Sequence, residues 1–211
     1  MPGSNGSIGV VDDERVKHAT RILRAGGVVV YPTETLYGLG ADAGNAAALQ
    51  RLVELKGREP GKPIAVLIGN VRMLGAVVAD IPPLAEALMR RFWPGPLTIV
   101  LPARASLSPV LTGGGDGIGV RLSRHPMATA LVRCLGQPVT APSANPAGQP
   151  PPRRIEEARI YFGSRVDFYL DAGCLAGEPA STVVDVRGEL RVVRRGAIAA
   201  EQLWSAARDA R

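Results

Sequence analysis

The stretch Gly26–Asp42 reads GGVVVYPTETLYGLGAD. Its glycine pair ends a helix or turns the chain tightly, because glycine reaches backbone angles closed to other residues. Val28-Val29-Val30-Tyr31 is short, apolar and β-branched, which predicts a buried strand. Pro32 ends the ladder, since it has no N–H to donate. Thr33, Glu34, Thr35 and Tyr37 then bring side-chain oxygens together, and Gly38-Leu39-Gly40 lets the backbone approach a ligand closely. A strand that runs into a polar, glycine-flanked loop is where an α/β protein places its site.

The flanking chain supports that class. Asp12 is placed to cap a helix over 13–25, with Val16, Ala19, Ile22 and Leu23 on one face and Gly26 at its end. Asn45 caps a second helix that stops near Lys56-Gly57-Arg58. Pro63–Ile68 reads as a strand, 71–78 and 83–92 as short helices, and Trp93-Pro94-Gly95-Pro96 as a rigid turn. Strands follow at 97–101 and 118–122, separated by a loop over 102–116. His125-Pro126 opens a helix, and a strand over 138–141 delivers Pro142-Ser143-Ala144-Asn145 into a loop. A helix over 155–161, strands over 166–170, 181–186 and 190–194, and a helix over 201–208 complete the chain. Helices and strands mix without strict alternation. The predicted fold is therefore α/β, a twisted open sheet of mixed direction with flanking helices, not a barrel or a dinucleotide-binding repeat.

Composition narrows the function. The 211 residues are 46% hydrophobic and 21% charged, which marks a globular protein with a real core. Aromatics at 4% argue against a stacking platform for single-stranded nucleic acid. A net charge of +6 suits an anionic partner, nucleotide or RNA, or simply serves solubility. Cys134 and Cys174 form no CxxC, so a reducing cytoplasm is the expected compartment. With His18 and His125 the only histidines, a multi-histidine metal site is excluded. No apolar run approaches the ~20 residues of a bilayer span. MPGSNGSIGVVDDE lacks the basic and apolar regions of a signal peptide. Residues 1–10 are expected to be flexible and 11–211 to form one domain.

Four places carry chemistry. Lys56-Gly57-Arg58, with Lys62 just beyond, is either a helix C-terminus complemented by positive charge or a phosphate clamp. Arg121 lies inside the apolar strand GIGVRLS. It is surface-facing on an edge, or it is paired or faces a cavity, where it can grip a carboxylate or phosphate with two N–H groups. Thr140–Asn145, TAPSAN, offers two hydroxyls and an amide at a strand end, which turn chemistry alone also explains. Ser181-Thr182 and Arg194-Arg195-Gly196 flank the last strands. Gly113–Gly119, GGGDGIG, matches neither the P-loop nor the dinucleotide fingerprint, and neither histidine sits in a triad context.

Taken in order, YPTETLYGLGAD, LKGR with Lys62-Pro63, FWPGPLTIVL, GVRLSRHP, TAPSANPAG, STVVDV and RRGAI resemble the motifs of the YrdC/Sua5 family, the L-threonylcarbamoyladenylate synthases. The resemblance runs from about Ile22 to Ile198 and is to the single-domain YrdC-type form, without the extra C-terminal domain of longer Sua5 proteins. It implies a twisted α/β sheet around a large, positively charged cavity. It implies a nucleotidyltransferase that makes threonylcarbamoyl-AMP and pyrophosphate from L-threonine, bicarbonate or CO2, and ATP, with Mg2+ accompanying the ATP. A partner threonylcarbamoyl-transferase then modifies tRNA at adenosine 37 (t6A), so contact with tRNA or double-stranded RNA is a further expectation.

By the same resemblance, Lys56, Arg58 and Ser143 are the catalytic residues. Thr33, Thr35, Leu67, Arg121, the Ala141 backbone and Ser181 face threonine. Lys56, Arg58, Lys62, Gly117, Ser143, Asn145 and Pro151 face ATP, as does Arg194 or its neighbour Arg195. Two departures stand out. Glu59 replaces a proline common in the family, and Leu67 a polar residue, often histidine, found in some members. A carbamate formed from threonine is already an anion, so its attack on the α-phosphorus calls for positioning and charge neutralisation rather than a protein base. The alternatives are a double-stranded RNA or tRNA-binding protein without catalysis, and another carbamoyl-adenylate-forming enzyme.

Overall fold

The computed structural model describes residues 13–59, 61–176 and 179–208. The expected flexible segment over 1–10 and the Asp12 cap lie outside these. Asp13 is the cap instead: extended, it accepts from Arg15 N at 2.9 Å and starts α1, Glu14–Arg24. Val16, Ala19, Thr20 and Leu23 recur at helical spacing and are the buried face of α1. The chain then turns at Gly26, φ +82°, and enters β1, Val29–Pro32.

The polar loop is only 33–36, because Tyr37–Gly40 is a strand, β2, antiparallel to β1 from Val29↔Gly40 to Pro32↔Tyr37. The glycines of β2 make room for a side chain rather than for a ligand alone. A Cβ on Gly40 would lie 2.9 Å from the Tyr31 ring, and one on Gly38 3.0 Å from it. The buried Tyr31 hydroxyl donates to Thr140 O at 2.8 Å. The Tyr37 hydroxyl turns away to donate to Gly173 O, also at 2.8 Å.

Next come α2, Ala46–Lys56, capped by Asn45, and a short β3, Val66–Leu67. The strand expected over 63–68 is regular only over these two residues: Ile64 N bonds Leu111 O instead of a sheet neighbour, and Ile68 N makes the ladder bond to Arg121 O. A 3-10 turn over Val71–Ala76, then α3, Pro83–Phe92, lead to β4, Leu97–Pro102. The expected loop over 102–116 contains a short helix, α4, Pro109–Thr112. β5, Gly117–Arg121, α5, Pro126–Leu135, and β6, Val139–Thr140, follow. The chain continues through α6, Ile155–Phe162, β7, Phe168–Tyr169, β8, Thr182–Asp185, β9, Arg191–Arg194, and α7, Ala200–Arg208.

The strands form two mixed sheets, of order β2-β1-β7 and β6-β3-β5-β4-β8-β9. β1 runs parallel to β7, β3 to β5 and β4 to β8, and the other pairs are antiparallel. Bridges Gly38↔Ser143 and Asp42↔Val139 join the sheets. One apolar cluster seals α1 and α5 over β1 through Leu23, Val29 and Leu131, and a larger one carries Leu52, Ile99, Leu88 and Leu203. The mixed α/β sheet with flanking helices read from the sequence is the observed class. β5 is an interior strand, so Arg121 sits not on an edge but in the middle of a sheet, 6% exposed.

Candidate active site

Both sheets contribute to one hollow of about 360 Å3. Thr33, Thr35, Tyr37 and Gly38 reach it from the β1–β2 hairpin, and Leu67, Thr98, Gly117, Gly119, Arg121, Ser181 and Arg194 from the larger sheet. Lys56, Arg58, Ala141, Ser143 and Pro151 close it from the loops. Its size falls toward the lower end of the ~300–1,000 Å3 usual for ligand pockets, so the large cavity expected from the sequence is not what is seen. A wider dish of about 650 Å3 opens at Asp42–Ala47 and Gln137, but no cation lines it.

At one end, Arg121 is held from several directions. Its Nε donates to Gly95 O at 3.2 Å, which is what the rigid Trp93–Pro96 turn supplies. Nη1 and Nη2 both donate to Thr35 Oγ1 at 3.3 Å. Nη2 also lies 2.8 Å from Glu34 Oε1 in a buried ion pair. The hydroxyl directions follow by elimination. Thr33 Oγ1 donates to Leu36 O at 2.6 Å, so in its 3.1 Å contact with Thr35 the donor is Thr35. Burial alone would raise the Glu34 carboxyl, but Arg121 and Ser123 outweigh it and hold it below the usual range. The two-pronged grip expected of Arg121 is therefore already partly engaged.

At the other end the cations cluster. Lys56 is the last residue of α2, and Gly57, in the left-handed region at φ 54°, turns the chain into Arg58. Lys56 Nζ donates to Ser143 O at 2.7 Å and Asn145 O at 2.6 Å, and is 5% exposed as a residue. Burial, reinforced by the like charge of Arg58, pushes it down to about 8. Arg58 Nη2 donates to Pro63 O at 2.7 Å, while its Nε is buried with no protein partner. Burial lowers the Arg58 pKa from its ordinary value. The loop beyond is pinned at Gly61, whose carbonyl would sit 2.4 Å from any Cβ on Gly113. In the glycine run at 113–115, a failed phosphate-loop match, Gly113 thus serves close packing, while Gly114, at φ +79°, has open space around it.

Arg194 completes the wall. Its Nη2 donates to Ser181 O at 2.8 Å and Ser181 Oγ at 3.1 Å, and Ser181 Oγ meets Thr98 Oγ1 at 3.0 Å. Burial first, then the nearby charge of Arg121, lower the Arg194 pKa. Gly196 fixes this corner, since a Cβ there would lie 2.1 Å from Ala180 O and 2.6 Å from Ser181 C. Gly196→Ala is expected to cost about 1–3 kcal/mol by overpacking and to displace Ser181. A thermal melt identical to wild type would contradict that.

Three residues expected at the site are not brought to it. Lys62 is exposed and pairs with Glu59 at 2.8 Å. Arg195 is exposed and does not line the hollow, which leaves Arg194 as the arginine of its wall. Asn145 is buried behind it, with its carbonyl on Lys56, its Nδ2 on Gln149 O at 2.6 Å and its Oδ1 without a partner. Leu67 lies on the floor, 1% exposed and part of the apolar cluster over β1. Sequence reasoning passed over Glu34 as Arg121's partner, and Ser123, Thr98 and Gly95 as braces. The available signal was that a buried arginine requires a carboxylate, and Glu34 is the acidic residue of the central stretch.

The family model for Sua5/YciO/YrdC proteins, described as telomere recombination, matches residues 21–196. The chain belongs to this family. A Bacillus subtilis relative named threonylcarbamoyl-AMP synthase is 38% identical over 194 residues, covering 91% of this chain and 56% of its own length. A Thiobacillus denitrificans protein of the same name is 46% identical over 144 residues, 68% of this chain and 77% of that one. The crystal structure of Pyrococcus abyssi Sua5 complexed with L-threonine superposes with a TM-score of 0.87 at 35% identity, covering 90% of this chain and 56% of that one. This Sua5/YciO/YrdC chain therefore spans little more than half the length of some relatives and most of the length of others.

Proposed function

We propose that this chain makes threonylcarbamoyl-AMP from L-threonine, bicarbonate or CO2, and ATP. The observation that carries this is one shared hollow lined both by a hydroxyl-rich group around Thr33, Thr35 and Arg121 and by the cations Lys56, Arg58 and Arg194. The names of the relatives and the threonine complex of the Pyrococcus protein support it.

In this reading the threonine carboxylate meets the remaining donors of Arg121 and the Ser181 hydroxyl, with Thr35 lining the same end. The amine loses its proton and adds to CO2 to give a carbamate. A carbamate oxygen attacks the α-phosphorus of ATP, and pyrophosphate leaves toward Lys56 and Arg58. The chain's own groups orient the two anions and offset their charge, the largest contribution such a site makes. A hollow that closes over its substrates protects a carbamate, which decomposes in bulk water. Among the described residues no cluster of three or more His, Cys, Asp or Glu side chains could hold a metal, so Mg2+ enters in this reading on the triphosphate, held by phosphate oxygens and water. No described helix is long and apolar enough to cross a membrane. We assign the reaction to the cytoplasm, in keeping with the free Cys134 and Cys174. A threonylcarbamoyl-transferase takes the product to tRNA, and the net charge of +6 supports direct contact with tRNA or double-stranded RNA.

The test is incubation with ATP, Mg2+, bicarbonate and labelled threonine, with the mixed adenylate as the expected product. Its absence, together with threonine-independent RNA binding that falls steeply with salt, would overturn the reading. Product from carbamoyl phosphate in place of threonine and bicarbonate would move the chain to a different carbamoyl-adenylate reaction. A pH dependence follows as well. Lys56 is protonated below about 8 and neutral above it, so one phosphate contact is lost as pH climbs past that value. ATP affinity measured by calorimetry is expected to fall about tenfold or more across this range, the worth of one charge-assisted bond. A flat profile from pH 7 to 9 would remove Lys56 from the phosphate site.

A further inference from the structure

Arg121 is a buried cation that arrives with its own counter-charge. Both it and Glu34 are 8% exposed in their side chains, at 2.8 Å, and only Arg121 of the two lines the hollow. Ser123 braces the pair from behind: its Oγ donates to Glu34 Oε2 and accepts from His125 N at 3.1 Å, at the start of α5. With Nε on Gly95 O, the guanidinium is pinned and its remaining edge is turned to Thr35.

The consequence is a division of charge. Among the described residues no carboxylate lines the hollow, and Lys56, Arg58 and Arg194 line it without a carboxylate partner. Arg194 lies close enough to Arg121 to register its charge. With Glu34 uncharged, Arg121 and Arg194 would form one continuous positive field, and a polyphosphate would be drawn across both ends. With Glu34 charged, the Arg121 end is a neutral pair, and a polyanion that entered it would meet a carboxylate.

We propose that Glu34 partitions the hollow: by neutralising Arg121 and holding its guanidinium, it reserves the Thr33–Thr35–Arg121 end for a zwitterionic amino acid and confines phosphate to the Lys56–Arg58 side, with Arg194 at the boundary. This rests on the threonine-and-ATP reading above and adds to it a specificity-determining residue that touches neither substrate. Glu34 acts through Arg121, as a positioning residue.

Glu34→Gln keeps the shape and removes the charge. Calorimetry with threonine and with inorganic pyrophosphate, separately and together, reads the partition. Wild type is expected to bind the two independently. In Glu34→Gln the threonine Kd is expected to rise about tenfold or more, pyrophosphate to bind about fivefold tighter, and the two to become mutually exclusive. A purely structural role for Glu34 weakens threonine binding without making pyrophosphate its competitor, and that result overturns the proposal. So does a folded variant that behaves as wild type. Should Glu34→Gln fail to fold, Ser123→Ala loosens the same carboxylate and is expected to shift both affinities in the same directions by about threefold, with no shift again counting against the idea. Wild-type protein that binds no threonine would instead overturn the functional reading on which the partition rests.

Discussion

Arg58→Ala is expected to lower threonine-dependent exchange of pyrophosphate into ATP by about 10²–10³-fold, the usual cost of removing one preorganised donor from a developing anion. The expectation rests on what Arg58 does and does not touch. Its one described protein hydrogen bond is to Pro63 O, and its buried Nε has no partner, so the side chain is held at the wall without being needed to hold it. Truncation removes a cation from the hollow and leaves the backbone of α2 and the Gly61–Gly113 contact in place. Lys56 is a less clean target. Its ammonium also bonds the carbonyls of Ser143 and Asn145, and removing it would leave the Asn145 carbonyl without that partner, while Ser143 O keeps Asn145 N. Circular dichroism and a thermal melt should therefore show Arg58→Ala folded. Wild-type exchange rates in such a protein would end the idea of a phosphate clamp at the close of α2.

The second large effect is at Arg121. Arg121→Lys is expected to weaken threonine binding by about 10–100-fold, because a single ammonium cannot serve Gly95 O, Thr35 Oγ1 and Glu34 together and still meet a ligand. ATP affinity is expected to change far less, since Lys56, Arg58 and Arg194 are untouched. Arg121→Ala goes further and strands the Glu34 carboxylate in the interior, at about 3–5 kcal/mol of stability. The lysine variant thus separates recognition from folding, and the alanine variant does not. Calorimetry that finds equal threonine affinity in wild type and Arg121→Lys would take Arg121 out of the amino-acid site.

Much of this was legible in the residues themselves. The caps at Asn45 and Gly57, the helix at 83–92, the strand around Arg121 and the family motifs are local signals, carried by propensity, period and the chemistry of glycine and proline. They identified the mixed α/β class, and the resemblance they carried pointed to most of the polar and charged side chains that line the hollow. Other features are set by contacts the chain does not show locally. Gly38 lines the hollow, yet the space where side chains of Gly38 and Gly40 would stand is filled by Tyr31, a neighbour across the hairpin. Lys62 read as a phosphate ligand; in this structure it is exposed and pairs with Glu59 three residues away.

What the sequence by itself determined is which residue types are available and which local elements they form, because helix caps, strand runs and turns depend on neighbours a few positions apart. What only the tertiary structure decided is which cations share a space and which are already paired. Arg121 meets Glu34, Arg194 meets Ser181, and Lys56 meets the carbonyls of Ser143 and Asn145 across separations in the chain that no local rule encodes. Electrostatic strength depends on distance and burial, and both are set by how the two sheets close on each other.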